Sequence, residues 1–580
     1  MNTSVILRLL KYGLNHKAIL VQASLLLLLA TGLDMLAPWL TMIYIDQFVA
    51  VDHYQVNTLV GIAVIYIGVI IGANLLSYFQ SLSYFDLSAK VIAELRQASF
   101  QHCLKLPMAY FHQHSNGETI NRMTQDVEAV RHLFKNIIGR TIRDIFTVIA
   151  VIISMLLLNV QLALVCIAFI PVFIAVFVAY RHFSLPLHRK IKQQSAKING
   201  FLNESLQQVL LLQVFNAQPR FIKRLNDKAQ TNIALSQRNV TLEALLLRPM
   251  LELLAILMMA ALILSLGAMP SNLLAFGLLF AFFAYLARFF EPIINLMQSQ
   301  GELLQAVAAA ERVFQLLDHD IESSGGSLQL NHCPTICFHQ VSFAYVQGEP
   351  VLSNLDLTIA PGEFVALVGP TGSGKSTIAQ LLKGYYQANS GHIQLDQHLI
   401  SHYQTDGLRK AITLVDQKPF IMQASVRQNL LLDLVHPDDA QLHHVLAQVE
   451  LAPWLASLPQ GLDTSIDNNS PLLTLGQKQL LCFARALLQN SSVIILDEAS
   501  ASLDPASEQA IQRVIAQLRG KVSLLVIAHK LSNIKMADKI AVLQQGVLMQ
   551  QGKHADLVKN KGAYQQLLAS NDSPPSNIVA

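Results

Sequence analysis

Charge is what this sequence has least of. Asp, Glu, Lys and Arg together make up 14% of its 580 residues, where a soluble globular chain carries about 25%. The deficit falls before Glu311, where long uncharged stretches recur, and the remainder has ordinary soluble composition. That excludes one uniform soluble domain, and a chain of this length divides into about two to four structural units. A net charge of +3 excludes the basic footprint of a nucleic-acid binder, so no nucleic-acid partner is expected. Cysteine is scarce as well. The five present, Cys103, Cys166, Cys333, Cys337 and Cys482, are odd in number and lack framework spacing, which excludes a disulfide scaffold. Cys333 and Cys337, flanked by His332 and His339, lack the paired second half of a zinc motif and read as a linker entering a strand. No repeat of about 20–50 residues is present, which excludes a solenoid.

What the sequence does have is apolar length. A helix needs about 20 mainly apolar residues to cross a bilayer core of about 30 Å. Residues 18–45 supply one span, interrupted by Asp34, and the uncharged run 53–85 supplies a second. The uncharged runs 145–180, turning at 159–161, and 253–287, turning near 267–272, supply two each. Six spans follow, at about 18–45, 55–80, 136–158, 162–182, 246–267 and 272–294. Arg8, Lys11 and Lys17 ahead of the first run give it the outline of a signal peptide. The run is too long for one and no cleavage site follows, so it is expected to be a retained span.

The three candidate outer loops, 46–56, 158–162 and 267–272, contain no Lys or Arg. Lys90, Arg96, Lys105, Arg122, Arg131 and Lys135 fill one inner segment, and Arg181, Arg189, Lys190, Lys192, Arg220, Lys223 and Arg224 the other. Positive charge stays inside, which predicts cytoplasmic termini on a multi-pass chain in the lipid bilayer. The inner segments keep helical periodicity, and at about 1.5 Å per residue they reach tens of ångströms beyond the membrane. They read as lever arms turning at residues 111–118 and 216–220. Asp34, at a cost of about 2.5–3.5 kcal/mol at a helix centre, must face protein or water. It either binds cationic cargo or pairs with another helix. Glu243, Arg248, Glu252, Arg288 and Glu291 flank the last two spans and are expected as inner-interface pairs.

After a Ser/Gly-rich linker at 323–327, the strand-like run 364–368 leads into Gly369, Pro370, Thr371, Gly372, Ser373, Gly374, Lys375, Ser376 and Thr377. This is the GxxxxGK[ST] phosphate loop. Its backbone N–H groups and the following helix N-terminus cradle phosphates, Lys375 reaches the outer ones and Ser376 can hold Mg²⁺. The apolar run 493–496 ends in Asp497 and Glu498. That places Asp497 on the metal side and Glu498 as general base for an attacking water.

Further motifs carry a family resemblance. Gln417 follows Val415-Asp416, and Thr474, Leu475, Gly476 and Gln477 stand where a signature LSGGQ would. Ala501 to Asp504 and His529 follow in order, and Tyr345 sits where an aromatic stacks on adenine. Phe111, Gly117 and Arg122 fit a coupling region. With these, the chain resembles the ABC exporters from residue 1 to about 570. It is most similar to bacterial MdlB/SmdB-like multidrug-resistance-like half transporters, a likeness prompted by Gly384-Tyr385-Tyr386, Glu291-Pro292 and Glu311 to Phe314.

The resemblance implies an all-α six-helix transmembrane domain over 1–318, a linker over 319–335 and an α/β P-loop NTPase domain over 336–570. Residues 571–580 are expected to be a disordered tail. It implies ATP and Mg²⁺, with Ser376, Gln417 and Asp497 on the metal and Lys375, Gln417, Glu498 and His529 catalytic. It also implies a dimer with a second ABC half-transporter, in which Thr474, Gly476, Gln477 and Asp504 complete a nucleotide site. The activity implied is ATP-driven export of hydrophobic or amphipathic small molecules across a bacterial cytoplasmic (inner) membrane. Here the signature departs from the family: Thr474 replaces Ser, Leu475 replaces the first Gly, and 467–472 lacks the usual Glu and Gly-rich segment. Lys375, Asp497, Glu498 and His529 are intact. The expectation is a heterodimer in which this chain supplies the phosphate side of the competent site; the alternative is that Leu475 is tolerated and both sites are active. A lipid or thiol exporter, an ATP-gated channel or regulator, and an importer of shared fold remain open alternatives.

Overall fold

The computed structural model describes residues 3–49, 56–134, 139–267, 276–346, 348–416, 419–432, 438–468, 470–497, 505–528, 534–560 and 562–572. The chain forms two compact units, Met1–Lys105 with His114–His319, and Leu106–Gln113 with Asp320–Ala580.

In the first unit the apolar runs become six helices long and apolar enough to cross a membrane. They are Lys17–Phe48, Asn57–Cys103, Gly139–Leu158, Val160–Gln207, Gln218–Ser265 and Phe276–Leu317. Four of the six are 42–48 residues long, about 60–70 Å at the helical rise and twice a bilayer core. Periodicity carries on past the apolar stretch, so the apolar span and its polar continuation are one helix. The turn after the third span is built by Asn159, whose Oδ1 accepts from the Leu162 N–H at 3.1 Å in an N-cap. The first helix runs past the expected end at Ile45 through a π-helical turn, Ile45–Val49. Asp46 Oδ1 there accepts from the Gly277 N–H at 2.6 Å. A Cβ on Gly277 would collide with the Met42 carbonyl, so glycine permits the sixth span to begin against the end of the first.

Leu25, Leu28, Val64 and Ile67 are more than half or about half exposed, as suits faces solvated by lipid. Met35, Val151, Phe173, Leu251, Phe282 and Tyr285 form one buried core. A second core gathers Val5 and Leu9 of the amphipathic helix Thr3–Leu14 with Val91, Leu95, Val130 and Phe314. Beside it Arg312 makes a bidentate pair with buried Asp126 at 2.5 and 2.8 Å.

In the second unit a six-stranded sheet runs Val547–Gly552, Lys539–Gln544, Phe364–Val368, Ser523–Ile527, Val493–Asp497, Ile412–Val415 from edge to edge. All neighbours are parallel except the first two. Phe364–Val368 and Ser523–Ile527 are buried along their whole length, which is why they read as continuous apolar runs. An antiparallel sheet of Leu352–Ile359, Ile336–Phe343, Ser390–Leu395 and His398–Leu399 packs its inner face into a shared core. Cys337 lies in Ile336–Phe343, and the Cys333 thiol contacts Ser523 Oγ at 3.0 Å.

A short helix adjoins each of the two turns expected at 111–118 and 216–220. The first is Met108–Gln113, followed by Ser115, whose Oγ accepts from the Glu118 N–H at 3.1 Å. The second is Val209–Val214, closed by Asn216 at φ 48°. Leu106–Gln113, read from the sequence as part of the membrane domain, packs as part of the second unit. Tyr110 is buried there, and the His112 ring stacks on Tyr386 at 5.8 Å and hydrogen-bonds its hydroxyl. The final helix, Ala563–Asp572, extends two residues beyond the expected end of folded chain, and 573–580 lie outside the described residues.

Candidate functional site

The site begins where the central strand Phe364–Val368 ends. Gly369 and Gly374 take φ values of 155° and 97°. A Cβ on Gly374 would stand 2.6 Å from Leu352 Cδ2, so only glycine combines this backbone with this packing. Gly374 N-caps the helix Lys375–Leu382. Pro370, Thr371 and Gly372 are exposed, and Ser373 is buried.

Lys375 is 6% exposed, and its Nζ donates to the carbonyls of Gly369 at 2.8 Å and Pro370 at 2.9 Å. Burial pushes its pKa down, against the opposing pull of Asp497. Its ammonium therefore sits coiled inside the loop on backbone oxygens, available to exchange them for phosphate. Ser376 Oγ donates to Asp497 Oδ2 at 3.1 Å. A hydroxyl and a carboxylate this close form an oxygen donor pair of the kind a hard divalent cation takes, so these residues fit Mg²⁺.

Tyr345 stands over the same helix. Its hydroxyl donates to Gln380 Oε1 at 2.8 Å and Thr377 Oγ1 at 3.2 Å. Edge contacts with Phe343 and Tyr386 fix the ring, which remains 42% exposed and able to stack on a base. Asp497 lies opposite Ile527 on the neighbouring strand. Glu498, Asp504, His529 and Gln417, all assigned roles from the sequence, lie outside the described residues.

The signature residues are built on other elements. Thr474 N-caps the helix Leu475–Leu488. Its Oγ1 accepts from the Gln477 N–H at 3.3 Å, while Gln477 Oε1 accepts from the Thr474 N–H at 3.0 Å, a reciprocal capping box. Gly476 is buried and Leu475 half-buried. Trp454 Nε1 donates to the Leu472 carbonyl at 2.7 Å and Lys478 Nζ to the Asn468 carbonyl at 2.6 Å, pinning the approach. This helix packs on Val426–Leu431, Asp439–Gln448 and Pro505–Leu518, away from the phosphate loop's own helix. The phosphate-loop residues and the signature residues thus stand on separate supports.

In the first unit Asp34 pairs with Arg288 at 3.3 and 3.4 Å. That corrects the reading of Arg288 as an inner-interface residue: it stands midway along Phe276–Gln298 and answers a charge on the first span. Glu243 accepts from Asn239 Nδ2 at 3.0 Å. Sequence reasoning passed over Arg143 and Asp144, at the edge of an uncharged run. With Asp34, Gln80, Arg288 and Glu291 they line a cavity of about 390 Å³. The signal was there, two charges within the first turns of a span helix.

Residues 20–293 match the family described as the ABC transporter transmembrane region, and residues 352–501 the family described as ABC transporter. The chain is 32% identical, over 97% of each chain, to the multidrug resistance-like ATP-binding protein MdlB of Buchnera aphidicola subsp. Schizaphis graminum. It is 31% identical to the probable multidrug resistance ABC transporter ATP-binding/permease protein YheH of Bacillus subtilis, over 88% of this chain and 77% of that one. It is 33% identical to the ATP-dependent lipid A-core flippase of Shewanella denitrificans, over 85% and 82% respectively. Among solved structures, a bacterial Atm1-family ABC exporter with ATP bound has a TM-score of 0.80 at 24% identity, covering 97% of this chain and 99% of that one.

Proposed function

Because the chain belongs to the ABC transporters, which couple ATP hydrolysis to transport, we propose that it is half of a heterodimeric exporter of hydrophobic or amphipathic small molecules. Its place would be a bacterial inner membrane, with both termini and the ATP-binding part cytoplasmic. Residues 1–318 would serve the membrane path and 336–570 the nucleotide. The observation that carries this reading is the 3.1 Å contact of Ser376, in the first turn of the helix after the phosphate loop, with Asp497 at the end of a parallel strand, in one chain with six span-length helices.

Mg²⁺, held by Ser376, Asp497 and Gln417, would supply charge stabilisation on the phosphates. Lys375 would release its two carbonyls and bind the outer phosphates, and Tyr345 would stack on the adenine. Glu498 would orient and deprotonate the attacking water, with His529 completing the transition-state contacts. Thr474, Gly476, Gln477 and Asp504 would face the partner's nucleotide, so that ATP draws two chains together. The short helices Met108–Gln113 and Val209–Val214 would carry that closure into the spans. Alternation between inward and outward cavities follows only if ATP and cargo each bind the two states unequally. Leu475 in the signature supports a partner of different sequence.

Inverted vesicles holding the assembled dimer test the reading. A pump accumulates a fluorescent amphiphile in proportion to ATP consumed, whereas dissipation of a preformed gradient without accumulation identifies a gate. A second reading, a lipid-type amphiphile as cargo, has the flippase relative in its favour. Competition by lipid extract in the same assay distinguishes it.

A further inference from the structure

The cavity of about 390 Å³ in the first unit plays no part in ATP chemistry. It opens among the first, second, third and sixth span helices, and its charged lining is Asp34, Arg143, Asp144, Arg288 and Glu291. Three carboxylates thus face two guanidiniums, an excess of one negative charge with all of them ionised. Asp34 and Arg288 hold each other. Asp144 is in a different position. It is 3% exposed, and its Oδ2 has no hydrogen-bond partner among the described residues.

A buried carboxylate oxygen without a donor is costly, and an ionisable group inside a span marks a substrate or ion path by default. Asn295 of the sixth span hydrogen-bonds the Asp144 carboxyl, yet Oδ2 is left without a donor, whereas Asp34 receives from Arg288 and Asp46 from Gly277. Apolar groups line the same cavity, Leu27, Ile70 and Ala73 among them. The space therefore offers a carboxylate at one place and hydrocarbon at another, at the lower end of the volume range of small-molecule pockets.

We propose that this cavity receives the cationic head of an ammonium-bearing amphiphile, with Asp144 Oδ2 as the acceptor. The proposal rests on the exporter reading and names the cargo class that reading leaves open. An ammonium supplies the donor that Asp144 Oδ2 lacks and offsets the one-carboxylate excess of the lining, beside the Arg140 and Arg143 charges that already act on Asp144. A hydroxyl head supplies only the donor, and a carboxylate adds to the charge excess.

The test uses the full-length chain in its assembled dimer in lipid nanodiscs, with ATPase stimulation as the readout. Three probes share one hydrocarbon body: 4-phenylbutylammonium, 4-phenylbutanol and 5-phenylpentanoate. The ammonium is expected to reach half-maximal stimulation at a concentration about 10- to 100-fold below the alcohol, the range of a charge-assisted hydrogen bond. The carboxylate is expected to give no response. Asp144→Asn, which keeps shape and removes charge, should bring the ammonium to within about threefold of the alcohol, and Asp144→Glu should keep the preference. The wild-type comparison stands even where a variant fails to fold. Equal responses to the three heads, a better response to the carboxylate, or no response to the ammonium overturn the proposal. The exporter reading is judged separately, by ATP-driven accumulation of any amphiphile in inverted vesicles, so each can fail without the other.

Discussion

The phosphate loop and the signature segment lie in the same unit and are built in opposite ways. The loop is secured by strain and burial: glycines at φ 155° and 97°, and a lysine wrapped in its own backbone. Its chemistry-bearing groups, Lys375, Ser376 and Asp497, are already within reach of one another. The signature is secured by a capping box, in which Thr474 and Gln477 satisfy each other. Nothing in that arrangement needs the glycine that Leu475 replaces. A helix start can therefore remain well formed whatever residue stands at position 475. The phosphate loop has no such freedom, because a side chain at Gly369 or Gly374 would collide with Leu543 or Leu352.

Substitutions can break or sharpen this contrast. The largest effect is expected from Glu498→Gln, which should lower the ATPase rate of the assembled dimer by about 10²–10⁴-fold, the usual worth of a general base. Turnover near normal would mean that the competent site is the other one. Ser376→Ala removes one of two described oxygen donors and should raise the Mg²⁺ concentration for half-maximal ATPase by roughly tenfold. Unchanged Mg²⁺ dependence would separate the Ser376–Asp497 pair from the metal. Leu475→Gly restores the signature glycine and should raise ATPase about two- to fivefold, a barrier change below one kcal/mol. A fall would show that leucine is the fitted residue here. The smallest effect is expected from Thr474→Ala, which removes the cap and should cost about 1 kcal/mol of local stability, read as faster amide exchange in Leu475–Leu488. An unchanged exchange rate would show that Trp454 and Lys478 hold the segment without it.

Much of this was legible in the sequence, for identifiable reasons. Phe364–Val368 and Val493–Asp497 emerge as strands at the expected places because buried parallel strands leave unbroken apolar runs. The six spans were legible for the same kind of reason. Their length was not, because a helix continues past the apolar stretch wherever nothing stops it. Asp34's partner was not legible either, since Arg288 lies 254 residues away and only packing brings the two together. Thr474 and Gln477 did carry a capping-box spacing, but the family motif drew the reading toward phosphate first. Gln417, Glu498, Asp504 and His529 rest on sequence alone, as they lie outside the described residues.

The eight residues Leu106–Gln113 fold with a unit whose other residues begin more than two hundred positions later in the chain. A gene cut at the 319/320 junction would therefore divide the polypeptide without dividing the architecture. The C-terminal fragment would lack a native piece of itself, and the N-terminal fragment would display Leu106 and Tyr110, both nearly inaccessible in the intact chain, as a greasy appendix with no home. The two products should be sticky apart and rejoin when co-expressed.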